Sequence, residues 1–134
     1  DALTKPNPPS APTQEEDAMP KLLLTVNGQT FLATLADTPT ARALLAQLPL
    51  SVSMQELNGN EKYYYLPESL PTDAQQPGSI RAGDLMLYGA DCLVLFYADF
   101  STSYSYTRLG VLDDPEGLAQ ALGDGAVTIS WHLA

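Results

Sequence analysis

The sequence predicts a mainly β fold that closes into a barrel, and two observations support this. About eight short segments with strand character follow one another from residue 20 onward, separated by turn residues. Many short strands of this kind form either a two-sheet sandwich or a closed barrel. Two isolated, short amphipathic helices favour the barrel, because each end of a barrel presents an apolar opening that a helix can cover.

The first segment, residues 1–19, is predicted to be a disordered tail or linker ahead of one domain over residues 20–134. Its prolines interrupt any helix or strand: Pro6, Pro8, Pro9 and Pro12. Polar residues fill the gaps, so the segment cannot bury enough apolar surface to offset the entropy of ordering. Such a tether fits a processed secreted protein or lipoprotein, and it fits a hinge after another domain equally well. The sequence therefore leaves the compartment open.

The domain begins with a predicted hairpin. Residues 21–26 and 29–35 are apolar and β-branched, and Asn27-Gly28 lies between them. Asn-Gly is the strongest local hairpin signal, because both turn positions need positive φ. We therefore expect two antiparallel strands here.

A short amphipathic helix is predicted next. Thr38 can cap its N-terminus with Pro39 at the first helical position, and Pro49 ends the run. The apolar residues fall on one face at helical spacing: Ala41, Leu44, Leu45 and Leu48.

The middle of the chain reads as further strands around one loop. Strands are predicted at residues 50–55, 63–66, 84–88, 92–97 and 104–111, and a proline-rich loop at residues 67–82. A second helix is predicted after Asp114, with Gly123 as its left-handed stop. The last strand alternates most clearly, with Trp131 on its apolar face and His132 on the opposite, outward face.

Composition narrows the functional classes. The formal net charge of −10 repels phosphate backbones and anionic membrane surfaces, so we expect no nucleic-acid partner. No apolar run approaches the roughly 20 residues that cross a bilayer, so we expect no transmembrane segment. The single cysteine, Cys92, lies in an apolar run and is interpreted as a buried thiol.

The sequence contains no complete set of catalytic residues that we can recognise. A serine hydrolase needs a base beside its nucleophile, and the one histidine, His132, is predicted to face outward. Glu56 and Glu61 could form a carboxylate pair, but a solvated loop is the better interpretation of that segment. No recognisable metal-ligand spacing or glycine-rich phosphate loop occurs. We therefore predict no catalytic residues, no metal and no cofactor.

Two segments, residues 57–65 and 100–108, hold five of the seven tyrosines among amides, hydroxyls and a few charges. Amphipathic rings beside polar groups are typical of a binding groove with a polar mouth. The alternative is that these rings only pack on the barrel wall. The predicted ligand-binding residues are Asn58, Glu61, Tyr63, Tyr65, Ser103, Tyr104, Tyr106 and Arg108.

Four motifs also carry a family resemblance over residues 20–134. They are LNGNEKYYYLP at 57–67, GDLMLYG at 83–89, FSTSYSYT at 100–107 and DPEGL at 114–118. In their order and spacing they resemble the small bacterial cyclophilin-like proteins, a family of unassigned function sometimes joined to, or found near, flavodoxin-like proteins. The resemblance implies a closed eight-stranded barrel with a helix at each end.

The isomerase site of true cyclophilins is not carried over by this resemblance. That site resembles a Phe-His-Arg start, a Gln-Gly-Gly segment and a later Trp and His, and neither tripeptide occurs in this chain. A likeness of fold does not by itself imply activity.

Three functional hypotheses follow. The leading one is a monomeric, cofactor-free binding module for a peptide or small polar molecule. The second is a weak peptidyl-prolyl isomerase in which Arg108, or less favourably Arg81 or Lys62, donates to the prolyl nitrogen and lowers a barrier of about 18–20 kcal/mol. The third is a domain that docks on a flavodoxin-like partner, with the acidic surface setting its orientation.

Overall fold

The computed structural model describes residues 19–134, so the predicted tail lies outside the described residues apart from Met19. The strands are β1 Leu22–Val26, β2 Gln29–Leu35, β3 Leu50–Leu57, β4 Glu61–Tyr65, β5 Ser79–Ile80, β6 Asp84–Tyr88, β7 Cys92–Phe96, β8 Phe100–Ser101, β9 Thr107–Leu112 and β10 Val127–Leu133. The helices are α1 Pro39–Leu45 and α2 Leu118–Leu122.

Eight of these strands form a closed antiparallel barrel in the order β1-β10-β3-β4-β7-β6-β9-β2, which confirms the predicted fold class. The first hairpin is also confirmed. Asn27 and Gly28 both adopt positive φ, at 48° and 79°, which lets Val26 pair with Gln29 across a two-residue turn.

Helix α1 lies between the end of β2 and the start of β3. The Thr38 hydroxyl accepts a hydrogen bond from the Ala41 amide at 3.1 Å, as expected of an N-cap. The helix ends at Leu45, earlier than predicted, because the Gln47 and Leu48 amides turn back to the carbonyls three residues earlier. Pro49 disfavours helical geometry for the residue before it, which accounts for this early end.

Helix α2 lies between β9 and β10, at the opposite end of the barrel from α1. Gly117, with φ 81°, precedes it, and Gly123 follows it, so the predicted position of the helix stop is confirmed; with φ 74° and ψ −170°, however, Gly123 does not adopt the predicted left-handed helical conformation. Leu118 and Leu122 are buried in the same hydrophobic cluster as Leu44 of α1 and Trp131 of β10. Both helices therefore cover the barrel interior from its two ends.

A second, smaller apolar cluster lies on the outside of the barrel, against β6 and β7. Its buried members are Ile80, Met86, Cys92, Val94, Phe96 and Tyr106. Every residue of β7 is buried, because one face packs inside the barrel and the other beneath this cluster. The burial predicted for Cys92 and Trp131 is confirmed.

The chain that covers β7 departs from the predictions. Residues 79–80 and 100–101 form a separate two-stranded sheet, β5–β8, where a loop and no pairing were predicted. The predicted strand at 104–111 is wrong at its start, because β9 begins at Thr107. Tyr106 instead exchanges both backbone hydrogen bonds with Gln75 at 2.9 Å. Residues 102–106 thus cross the outer face and do not join the barrel.

Gly110 of β9 lies close against the backbone of β2. A Cβ at this position would lie 2.4 Å from the Thr34 carbonyl oxygen and 3.0 Å from the Leu35 Cα. We expect Gly110→Ala to lower the free energy of unfolding by about 2 kcal/mol, because backbone must move to admit the methyl group. Urea denaturation measures this, with Gly125→Ala as the matched control, since nothing lies within 4 Å of a Cβ at Gly125. Equal stabilities of the two variants would contradict the prediction.

Candidate functional site

A groove of about 670 Å³ runs over the outer face of the barrel where β4 and β7 lie side by side. We call it the tyrosine groove. The residues that line it are Leu57, Asn58, Asn60, Glu61, Tyr63, Tyr65, Tyr88, Cys92, Val94, Phe100, Ser101, Thr102, Ser103, Tyr104 and Tyr106.

One wall of the tyrosine groove is strand β4. Side chains alternate along a strand, so Glu61, Tyr63 and Tyr65 point outward while Lys62 and Tyr64 point to the barrel interior. The turn before β4 repeats the Asn-Gly chemistry of the first hairpin, with φ 58° at Asn58 and 69° at Gly59. This turn fixes the pairing of Leu57 with Glu61 and hence the face on which Glu61 lies.

The opposite wall is the crossing segment at residues 100–106, and aromatic contacts tie it to the barrel. Tyr106 packs edge-on against Phe96 at a centroid distance of 5.4 Å and lies 5.6 Å from Tyr88. Tyr88 also meets Tyr104 at 6.2 Å, and across the groove Tyr63 and Tyr65 meet edge-to-face at 5.8 Å.

The rings divide by depth. Tyr106 is buried at the base of the crossing segment, and burial raises the pKa of its hydroxyl. Tyr65 and Tyr104 are 62% and 63% exposed and form the mouth. Exposed aromatic rings at a concave mouth are available for contact with a ligand.

Seven of the eight predicted ligand-binding residues line the tyrosine groove, and Arg108 does not. Tyr63 pairs with Val94, Val94 with Met86, and Met86 with Arg108. Arg108 is therefore three strands away from Tyr63, which is roughly 14 Å along the sheet. It lines a neighbouring groove of about 470 Å³ that also contains Met86, Gln75 and Tyr106.

Glu61 is the exceptional residue of the tyrosine groove. The residue is only 8% exposed, and its carboxyl oxygens, which have no hydrogen-bond partner within residues 19–134, open onto the groove. Burial, together with the negative charge of Glu56, raises the pKa of Glu61 to about 7. The interpretation of this segment as a solvated loop is therefore wrong, because Glu61 begins a strand and faces the groove.

Glu56 belongs to a different site, on the interior side of the same strand pair. Its carboxylate accepts hydrogen bonds from Lys62 Nζ at 2.8 Å, the Tyr97 hydroxyl at 2.7 Å and the Gly59 amide at 2.7 Å. Burial opposes ionisation of Glu56, but these three donors outweigh it and hold its pKa below the usual value. The two glutamates thus differ in both environment and ionisation.

Lys62 is fully buried and has three oxygen acceptors. Besides Glu56, its Nζ donates to the Gly123 carbonyl at 2.8 Å and the Gly125 carbonyl at 2.6 Å. It also lies over the Tyr97 ring at 5.2 Å from the centroid. Lys62 was a candidate donor to a prolyl nitrogen, and that expectation is wrong because the side chain is enclosed on the interior face.

Several groove residues were missed by the sequence analysis. Tyr88 is the outward residue at the end of β6, and nothing in its local pattern indicated the groove. Asn60, which lies in the segment 57–65 noted for its polar groups but was not among the eight predicted ligand-binding residues, also lines the groove, and its buried side-chain oxygen has no partner among the described residues. Cys92 lies beneath Tyr65, and burial raises the pKa of its thiol to about 11, which makes it a poor nucleophile near neutral pH.

Three further features were checked in residues 19–134: the position of the histidine, groups of metal ligands and helices long enough to cross a membrane. His132 lines neither groove. No group of three His, Cys, Asp or Glu residues within 19–134 is placed to hold a metal ion. No helix in that range is both long and apolar enough to cross a membrane.

Comparisons with known proteins give one match. The model of a family described as "Cyclophilin-like family" matches residues 24–132, which include all eight barrel strands except for the edges of the first and last. No curated protein and no solved structure matches significantly.

Proposed function

The chain belongs to the cyclophilin-like family, and we propose that it is a non-catalytic binding module that takes a peptide segment or a small polar molecule in the tyrosine groove. The observation that supports this most strongly is the convergence of five tyrosines on one groove of about 670 Å³. Small-molecule sites usually have volumes of about 300–1,000 Å³ and apolar walls with a few convergent polar groups.

The arrangement of the rings favours binding over wall packing alone. Rings that served only to pack would be covered, whereas Tyr65 and Tyr104 present most of their surface to solvent. Short polar groups lie beside them at the rim, on Asn58, Ser101 and Ser103. Tyrosine supplies a large, stiff contact surface at low entropic cost, which suits recognition of a polar ligand.

The test is a binding screen by protein-observed NMR with capped dipeptides and small polar fragments. We expect shifts concentrated on the resonances of Tyr63, Tyr104 and Tyr106. Tyr104→Ala should weaken the best hits about tenfold, because truncating an aromatic anchor removes much of its contact energy. The ring is exposed, so the variant should keep its fold.

The control for this screen is Leu32→Ala, on the opposite side of the barrel. Leu32 is an exposed apolar residue of β2, four strands from β4 in either direction around the barrel. We expect the Leu32 variant to bind as the wild type does. The proposal would be overturned if the hits kept their affinity for the Tyr104→Ala variant and lost affinity for the Leu32→Ala variant.

A weak prolyl isomerase is the second candidate, and the neighbouring groove favours it. Arg108 lies there with Met86 and the Tyr106 ring, which together offer a cation beside an apolar surface. A protease-coupled proline isomerisation assay separates the candidates. Catalysis that Arg108→Ala abolishes would favour the enzyme, whereas a rate equal to background supports the binding module. Docking on a flavodoxin-like partner stays a prediction of the family resemblance.

A further inference from the structure

Building on the proposed function, we propose that the ligand of the tyrosine groove carries a cationic nitrogen group, an ammonium or a guanidinium, which pairs with the Glu61 carboxylate between the tyrosine rings.

The ionisable lining of the tyrosine groove is acidic. Glu61 is the only Asp, Glu, Lys, Arg or His among the described residues that line the tyrosine groove. The one other carboxylate that acts on it, Glu56, is engaged by Lys62 on the far side of β4. Cys92 and Tyr106 also face Glu61, and both are neutral near pH 7. Ionised Glu61 therefore attracts a cation that enters the groove and repels an anion.

The Glu61 carboxyl group accepts no hydrogen bond within residues 19–134. A carboxylate accepts several hydrogen bonds, and one that is largely desolvated gains free energy when a charged donor reaches it. Structural carboxylates in this protein have donors, as Glu56 has from three groups and Asp113 has from Lys21 and Thr34. Glu61 has none within residues 19–134, although it lines open space. A ligand N–H donor would supply the missing partner.

Tyrosine rings line the groove beside Glu61. Tyr63 lies two residues from Glu61 on the same face of β4, and Tyr106 closes the groove opposite. Organic cations are attracted to the faces of aromatic rings, more strongly where the site is desolvated. A carboxylate with tyrosines around it therefore favours an organic cation over a neutral polar group. Since a cation stabilises ionised Glu61, binding near pH 6 should also release a proton.

The experiment uses three probes of matched length: n-butylammonium, 1-butanol and butyrate. Each is titrated into the protein at pH 8 while tyrosine ring and backbone resonances are followed by NMR. We expect butylammonium to shift the groove resonances with an affinity about tenfold greater than that of 1-butanol, since a charge-assisted pair adds more than 1 kcal/mol. Butyrate should leave the groove unperturbed.

Variants assign the preference to Glu61. Glu61→Gln should reduce butylammonium binding to the level of 1-butanol, and Glu61→Asp should retain part of the preference. Glu116→Gln removes the same charge from an exposed position outside both grooves and should change nothing.

The outcomes separate this inference from the proposed function. If 1-butanol and butylammonium shift the groove equally, or if Glu61→Gln leaves the preference intact, the cation inference is overturned while the groove remains a binding site. If no probe shifts the groove up to high millimolar concentration, the cation inference is also overturned, and the dipeptide and fragment screen then decides the proposed function by itself.

Discussion

Replacing Lys62 with methionine is expected to lower the free energy of unfolding by about 3 kcal/mol, because it removes one partner of a buried ion pair. Methionine fills a similar volume but donates no hydrogen bond. The Gly123 and Gly125 carbonyls would lose their common donor, and Glu56 would lose its counter-charge. These contacts join the end of α2 to β4 and β3, so their loss loosens one end of the barrel. Urea denaturation at pH 7 measures the change.

The matched control is Lys21→Met. Lys21 also pairs with a carboxylate, Asp113, but its side chain is 50% exposed, and exposed ion pairs contribute less than about 1 kcal/mol. We therefore expect a small effect from Lys21 and a large one from Lys62. If the two variants lost similar amounts of unfolding free energy, the predicted effect of burying the Lys62 ion pair would be wrong.

Replacing Glu61 with glutamine is expected to stabilise the protein above pH 7, by about 3 kcal/mol at most. The pKa of Glu61 is about 7 in the folded protein against 4.5 in the unfolded chain, and each unit is worth about 1.36 kcal/mol. Between these two values the folded state holds the extra proton. Wild-type stability should therefore fall as pH rises from 4.5 to 7 and stay level just above that, and the neutral glutamine should not show this fall.

Among the carboxyl groups of residues 19–134 with a shifted pKa, only Glu61 lowers the stability of the folded protein as pH rises from 4.5 to 7. The pKa values of Glu56 and Asp113 are lowered, so their contributions are complete above pH 4.5 and are lost only as pH falls further. Denaturation midpoints at pH 5, 6, 7 and 8 for both proteins give the difference. A constant difference across the series would contradict the assigned burial of Glu61.

The parts of the fold that sequence predicted are those with strong local signals. Asn27-Gly28 defines its hairpin through backbone geometry, and the alternation around Trp131 defines the apolar face of β10. The run Cys92–Phe96 is apolar throughout because it is covered on both faces. Such signals arise within a few residues, so no knowledge of distant contacts was needed.

The parts that sequence could not predict depend on distant contacts. Alternation along the predicted strand 104–111 places Tyr104 and Arg108 on one face, but the pairing of Tyr106 with Gln75 takes the crossing segment out of that strand. This places the two residues in different grooves. Glu61 likewise faces that crossing segment across the tyrosine groove, and the alternation that predicted a strand at 104–111 gives no sign that residues 104–106 leave the barrel. The candidate site was therefore identified by its residue types, and its shape was not.

The cation proposal depends on the Glu61 carboxyl group, which faces the tyrosine groove, is largely desolvated and has no hydrogen-bond partner within residues 19–134. The most direct measurement is a carbon-13 NMR titration of the glutamate side-chain carboxyl groups, with Glu61→Gln used to assign the Glu61 resonance. We predict a midpoint near pH 7 for Glu61 that moves lower when butylammonium is added. A midpoint near 4.5, unchanged by the probe, would mean that Glu61 is solvated and that the groove holds no cation site.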